Sequence, residues 1–386
     1  NLYANRGTLH YQMSNLDAAL GDFNEAIRLG PQRGRVYTNR GLIFMKRKNY
    51  EAALADFNKA IEIDPEDAAA MVNRGNLLLE IGDLEAALRD YNRAIEVTPN
   101  DLMIYNNRGS VFSSLGKFEK ALADFNHILE RDPKYVQAYA NRAWIFVKRE
   151  DFDAAIADYS RAIELDPKYA KAYSNRSLAR MANGNLGGAF TDCSKAIKLN
   201  SGYVIAYVIR GNIHRKLGRL DAAIVDFSKV IELDPGNIGA YNKRGLTYQA
   251  KGDLDSALAD FEFGIQQAPF SIDAYVSRGL LRELKGDFVG ALADCDKALE
   301  LDPDCVDAYY NRGRIRRKRK DLSGALEDYN QAIKRDPEYA KAYINRPKLT
   351  ALVHLTQCFG LNANKKQQKC EWAFLPSSSL NLCVCA

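Results

Sequence analysis

The sequence predicts an all-α fold, a solenoid of stacked 34-residue helix-turn-helix repeats, and three observations carry that prediction. First, the chain repeats itself without a slip: Arg stands at positions 6, 40, 74, 108, 142, 176, 210, 244, 278, 312 and 346, and Asp at 22, 56, 90, 124, 158, 192, 226, 260, 294 and 328. Second, Ala recurs at 19, 53, 87, 121, 155, 189, 223, 257, 291 and 325, and Pro at 31, 65, 99, 133, 167, 235, 269, 303 and 337, failing only at Ser201. Third, the apolar residues between these markers follow a helical spacing. Self-similarity at a period of this size is the signature of one supersecondary unit stacked many times. Residues 1–346 hold ten repeats and the first helix of an eleventh.

Each repeat divides into two helices, A and B. In the third, the pattern predicts helix A over Ala68–Ile81, closed by a turn at Gly82-Asp83; Gly recurs at that turn at 116, 184, 218, 252 and 286. Gly suits the left-handed conformation that ends a helix. Helix B follows, with Leu84, Ala87, Leu88, Tyr91, Ala94 and Ile95 forming one apolar stripe. Asp-Pro pairs such as Asp64-Pro65 and Asp166-Pro167 stop helix B, because the residue before Pro avoids the helical region. One hairpin cannot bury its apolar faces alone, whereas stacked neighbours share a continuous core. The periodic Arg and Asp are expected to pair, between helices A and B or between neighbouring repeats. A partly buried bidentate pair explains why neither varies. A basic ladder for acidic ligands is the functional alternative.

The composition is that of a folded protein: 47% hydrophobic and 27% charged residues are too apolar for a disordered chain. No run approaches the roughly 18 apolar residues of a membrane helix. The chain opens at Asn1 with no charged-then-apolar leader, so no signal peptide is expected and an intracellular, cytoplasmic location is. The composition changes near residue 347. Residues 347–386 carry Lys348, Lys365, Lys366 and Lys369 against Glu371, leaving residues 1–346 a net charge of only +2 out of the total of +5. This tail, expected to be a disordered second region, also holds Cys358, Cys370, Cys383 and Cys385.

Tyr105, Gly109, Ala121, Phe125 and Pro133 form a pattern that resembles the tetratricopeptide repeat family, and most other repeats match nearly as well. The resemblance covers about nine-tenths of the chain. It implies a right-handed superhelix in which helices A line a concave groove. The family often has Leu at the periodic Arg and an aromatic at the periodic Asp; here both are changed together. The resemblance also places the sixth residue of helix A in the groove. That position reads Asn5, Asn39, Asn73, Asn107, Asn141 and Asn175, then Ile209, Lys243, Ser277, Asn311 and Asn345. Successive Asn at one superhelical position resemble the asparagine ladders of some repeat proteins. A carboxamide offers both donor and acceptor and can pair with the backbone of an extended peptide. The alternative is Asn solvated or bonded within its own helix.

Neighbouring groove positions add Trp144, Leu178, Leu42, Val147 and Met181, which favour insertion of a partner's apolar side chains. Arg314, Arg316, Arg317, Lys318, Arg319 and Lys320 form a basic run, with Arg314, Arg317 and Lys318 expected on the concave side and able to receive an acidic segment. The alternative is a solvated helix end favoured by its dipole. Family members that capture chaperone tails with a carboxylate clamp need Lys or Arg at the fifth position. Here it reads Ala4, Thr38, Val72, Asn106, Ala140, Ser174, Val208, Asn242, Val276, Tyr310 and Ile344, so such a role is not expected.

No catalytic constellation stands out, and no cofactor or metal is expected. His10 and His214 share a position filled elsewhere by Phe44, Phe112, Phe146 or Tyr248 and are expected to substitute in the core; His127 falls on an outer ridge expected to be exposed; His354 lies in the tail. Cys193 and Cys295 replace the aromatic of helix B and read as buried thiols without a disulfide framework. Pro347 should break the eleventh helix A. Cys383-Val384-Cys385-Ala386 can be read as a prenylation signal at Cys383, with a plain terminus as the alternative. The expected function is a non-enzymatic scaffold that holds an extended segment of another protein, with neither nucleic acid nor membrane as partner. Two alternatives stay open, a targeting or regulatory arm of a larger enzyme or complex and an RNA-binding helical repeat.

Overall fold

The structure, a computed structural model, describes residues 2–346. The readings made above on 347–386 (Pro347, His354, the Cys383 signal) lie outside the described residues. The chain forms two compact bodies, an N-terminal one to Ile213 and a C-terminal one from His214. The described residues are helical throughout, with no strand. In chain order the first pairs are α1 (Leu2–Gln12) with α2 (Leu16–Leu29), α3 (Gly34–Lys46) with α4 (Tyr50–Ile63), and α5 (Ala68–Ile81) with α6 (Leu84–Val97). Next come α7 (Leu102–Ser114) with α8 (Phe118–Arg131), α9 (Val136–Lys148) with α10 (Phe152–Leu165), and α11 (Ala170–Ala182) with α12 (Leu186–Leu199). Then follow α13 (Val204–Lys216), α14 (Leu220–Leu233), α15 (Ile238–Lys251), α16 (Leu254–Gln267), α17 (Ile272–Leu284), α18 (Phe288–Leu301), α19 (Val306–Lys318) and α20 (Leu322–Arg335). Residues 340–346 begin one more helix.

Local chemistry sets these boundaries. Helices B other than α8 and α14 start on short polar caps: Asn49 accepts from the Ala52 amide at 3.2 Å and Asp83 from the Ala86 amide at 3.0 Å, each satisfying one orphan N–H of the first turn. At their other end Asp64, Asp166 and Asp336 turn extended, as a residue before Pro must. The A-to-B turn is left-handed in all ten repeats. Gly82, Gly116, Gly184, Gly218, Gly252 and Gly286 fill six of these sites, but Ser14, Lys48, Glu150 and Lys320 hold the same positive φ against steric resistance.

The periodic Ala residues and the aromatics of helix B, among them Phe23, Phe57, Tyr91, Phe125 and Tyr159, are fully buried. Gly in helix A makes room for that ring: a Cβ on Gly75 would sit 2.8 Å from the Tyr91 ring. In the sixth repeat the ring is replaced by Cys193, and its partner site is Ser177, also fully buried. The volume lost on one helix is partly refilled on the other, as close packing requires.

The expected Arg–Asp pairs form, and they do two jobs. Arg40 reaches across its own hairpin to Asp56 in a two-pronged contact of 2.7 and 2.8 Å, and its remaining arm donates at 2.7 Å to Asn24 in the preceding repeat. Arg74, Arg108 and Arg142 repeat this geometry on Asp90, Asp124 and Asp158, with Asn58, Asn92 and Asn126 as the second acceptors. Of the two arrangements expected, these Arg–Asp pairs take the one between helices A and B of a single repeat, while the link to the preceding repeat runs from the same Arg to an Asn. The Arg40, Arg108 and Arg142 guanidinium groups also lie over an aromatic ring in their own helix, as Arg142 does over Tyr139 at 5.6 Å.

Candidate functional site

Within the N-terminal body consecutive A helices (α1, α3, α5, α7, α9, α11) contact one another, whereas consecutive B helices have no comparable contact. The A layer is therefore the tighter one and lines the inner side of the curvature there. Asn39, Asn73, Asn107, Asn141 and Asn175 stand half-buried in this layer. Their amides do not bond within their own helices. Asn39 donates to the Thr8 hydroxyl at 3.4 Å, Asn107 to the Asn76 carbonyl at 3.1 Å, and Asn141 to the Asn106 carbonyl at 3.0 Å and the Ser110 hydroxyl at 3.5 Å. Asn76 also accepts from Tyr91 at 2.7 Å. Each of these amides thus points back to the preceding A helix. Asn5 and Asn39 line a cleft of about 620 Å³ between α1 and α3, beside Arg33 and Arg35.

Trp144 is 39% exposed beside Asn141, with the Lys148 ammonium 4.7 Å above its ring. The other apolar groove candidates fare differently. Leu42, Val147, Leu178 and Met181 pack partly buried against the core clusters, so Trp144 is the exposed one of the five.

The basic run needs correction. Arg314 and Lys318 both bond to Glu283, Lys318 at 2.9 Å, and the Glu283 side chain is 1% exposed. Arg317 donates to Asn345 at 3.0 Å, and Arg316 to Asp328 at 2.9 Å. These cations are tied down by their own fold rather than held open for an acidic segment. Sequence reasoning missed Glu283, although a signal existed. Its repeat position is mixed, apolar at Met45, Leu79, Val147 and Met181 and basic at Arg215 and Arg317, and Glu283 is the one acid among the copies.

The histidines also differ from expectation. His127 is not on an exposed ridge: its ring stacks on Tyr105 at 4.2 Å and accepts from Arg131 at 2.9 Å. Burial first, and then the Arg131 charge, hold its pKa below the usual 6.5. His10 and His214 do occupy the aromatic position, but each also lies 3.9 Å from the repeat's Asp, Asp22 and Asp226. Arg180, Arg282 and Arg316 use that same position to give Asp192, Asp294 and Asp328 a second guanidinium. Burial pushes the Cys295 thiol up to about 12 and raises Cys305 as well, which disfavours the thiolate at both.

Models of the tetratricopeptide repeat match residues 34–67, 103–135 and 306–339, and further models of the same repeat match 57–89, 75–116, 143–184, 211–252 and 242–304. The chain belongs to the tetratricopeptide repeat family. No curated protein sequence matches it. Among solved structures it is similar to the APC/C hetero-tetramer Cut9–Hcn1 (12% identity, 90% of this chain and 83% of that one, TM-score 0.53). It is also similar to the human IFIT1 dimer with m7Gppp-AAAA (17%, 85% and 83%, 0.55) and to a tetratricopeptide repeat protein from Parabacteroides merdae (22%, 65% and 96%, 0.50). At these identities the likeness is one of fold.

Tetratricopeptide repeats indicate a protein–protein interaction scaffold, and proteins built from them are in general non-catalytic. In this tetratricopeptide array Thr38, Val72, Ala140 and Ser174, which occupy the fifth position of helix A, are buried and uncharged. Among the described residues no cluster of His, Cys, Asp and Glu is placed to hold a metal ion, and no helix is long and apolar enough to cross a membrane.

Proposed function

We propose that the N-terminal body holds an extended segment of a partner protein along its A-helix layer, with Asn39, Asn73, Asn107, Asn141 and Asn175 as rungs. The observation that carries this reading is the orientation of the carboxamides. Those of Asn39, Asn107 and Asn141 are cross-linked from one A helix to the preceding one instead of being spent within a helix, and all five recur at one point per repeat. Fixed groups at regular spacing suit a ligand whose own polar groups recur regularly, and a polypeptide backbone is such a ligand. A surface formed in advance of binding also loses little conformational freedom on association. The basic positions Arg314, Arg317 and Lys318 do not enter this reading, because they lie in the other body, where Glu283 already engages the charges of Arg314 and Lys318.

RNA is the less favoured ligand. From Asn39 to Asn175 the rung position carries a neutral amide in each repeat, and Lys148 over Trp144 has no basic counterpart at Glu80, Ser114 or Ala182, so no ladder of cations is there to meet successive phosphates. The test is capture from RNase-treated lysate by the wild-type chain beside a variant with Asn73, Asn107, Asn141 and Asn175 changed to Ala, both checked for equal helical content. Partners lost only by the variant support the reading. Partners kept by both would move the interaction off the A layer.

A further inference from the structure

The rungs are polarised. A carboxamide has two N–H donors and a carbonyl acceptor. Asn141 directs its amide nitrogen at two acceptors in the preceding repeat, Asn106 and Ser110, and Asn107 directs its own at Asn76. Among the described residues, no donor reaches the Oδ1 of Asn107 or Asn141. The bonds that align the ladder therefore engage amide donors, one at Asn107 and two at Asn141, and leave these two Oδ1 acceptors open. A ligand that complements the open acceptors brings donors, which again disfavours phosphates and fits backbone N–H groups.

Spacing narrows the conformation. Packed helices lie roughly 8–10 Å apart, so successive rungs recur at about that distance. A polyproline II chain rises about 3.1 Å per residue with three residues per turn, so it returns to the same face every ~9 Å. A β-strand alternates faces and would turn every second such donor away. Beside Asn141, three residues on in α9, sits the exposed indole of Trp144, with Lys148, which has no acidic partner among the described residues, over one ring face. A cationic ligand residue would be repelled there, whereas an apolar one gains burial against the ring.

Resting on the peptide-groove reading above, we infer that the N-terminal body takes a polyproline II segment whose backbone N–H groups, three residues apart, donate to the Oδ1 of Asn107 and Asn141. An apolar side chain of that segment seats on Trp144. Proline is excluded at the two donor positions, since it has no N–H, and is acceptable elsewhere in the segment.

The test is selection from a random dodecamer peptide library on the full chain, followed by affinity measurement with synthetic copies of the winners. The winners should share an apolar residue and lack proline at two positions three apart. N-methylation of those two amides should weaken binding about tenfold or more, as should Asn107→Ala with Asn141→Ala, and Trp144→Ala. The chain has two tryptophans, Trp144 and Trp372, so in a Trp372→Phe chain peptide addition should shift Trp144 emission even if Trp144→Ala folds poorly. Winners that need the Asn residues but tolerate N-methylation and leave Trp144 emission unmoved would overturn this inference and leave the groove reading standing. Winners indifferent to the Asn residues, no winners at all, or single-stranded RNA competing for the same rungs would overturn both.

Discussion

Arg142 shows what the periodic charges of this chain do at the scale of one residue. Its guanidinium holds Asp158 in a two-pronged contact and donates to Asn126 in the preceding repeat, while its plane lies over Tyr139. Removing it strands a buried carboxylate, so Arg142→Ala should cost about 3 kcal/mol, read as a lower urea midpoint. Replacing both partners, Arg142→Leu with Asp158→Leu, should recover most of that loss, because no charge is then left buried. A double variant no better than the single one would place the stabilisation in the Asn126 and Tyr139 contacts instead. His127 gives a pH-dependent counterpart. Its pKa is depressed in the folded chain, so the unfolded state takes up a proton first as the pH falls below 6.5. The stability that His127 contributes is thus whole above that pH and lost as acid approaches the folded pKa. His127→Phe should flatten the decline of melting temperature between pH 7 and 5; an unchanged slope would assign the decline to other groups.

At the scale of the element, each repeat is a hairpin whose turn needs a left-handed residue. Six turns satisfy this with Gly, and Ser14, Lys48, Glu150 and Lys320 adopt it at a steric cost. Glu150→Gly should therefore stabilise the chain by about 1 kcal/mol, the scale of the left-handed penalty for a residue with a Cβ, and raise the urea midpoint. A lower midpoint would mean that the flexibility Gly adds to the unfolded chain outweighs the relief. The helices themselves were legible because Ala, Gly, Pro and the Arg–Asp markers each act within one hairpin. The turn at Glu150 was not, because a left-handed Glu there contradicts local preference and is imposed by its hairpin. Glu283 was missed for a related reason: its partners Arg314 and Lys318 belong to the next repeat, so its role exists only once two hairpins are stacked.

At the scale of the whole molecule, the repeats form two compact bodies, a division that the unbroken period of 34 does not announce. Stability in such an array is close to a sum of repeat and neighbour contributions. Deleting 347–386, where the repeat pattern has ended, should leave the helical circular dichroism signal nearly intact. A large loss of signal would make that segment a required cap. The same additivity localises the candidate site, because the Asn rungs lie within the N-terminal body and the engaged basic cluster within the other.

The sequence by itself determined the helix pairs, their boundaries, the buried Arg–Asp pairing and the family, since each follows from residues recurring at a fixed interval within or next to one hairpin. Tertiary structure decided what each polar side chain has left to offer. Asn107 and Asn141 read alike in the period, as donor and acceptor both, until stacking spends their amides on the neighbouring helix. Arg314 and Lys318 read as free cations until α17 brings Glu283 beneath them. A polar group has a fixed number of donors and acceptors, and which partners take them up depends on distances that arise only when the repeats are packed side by side.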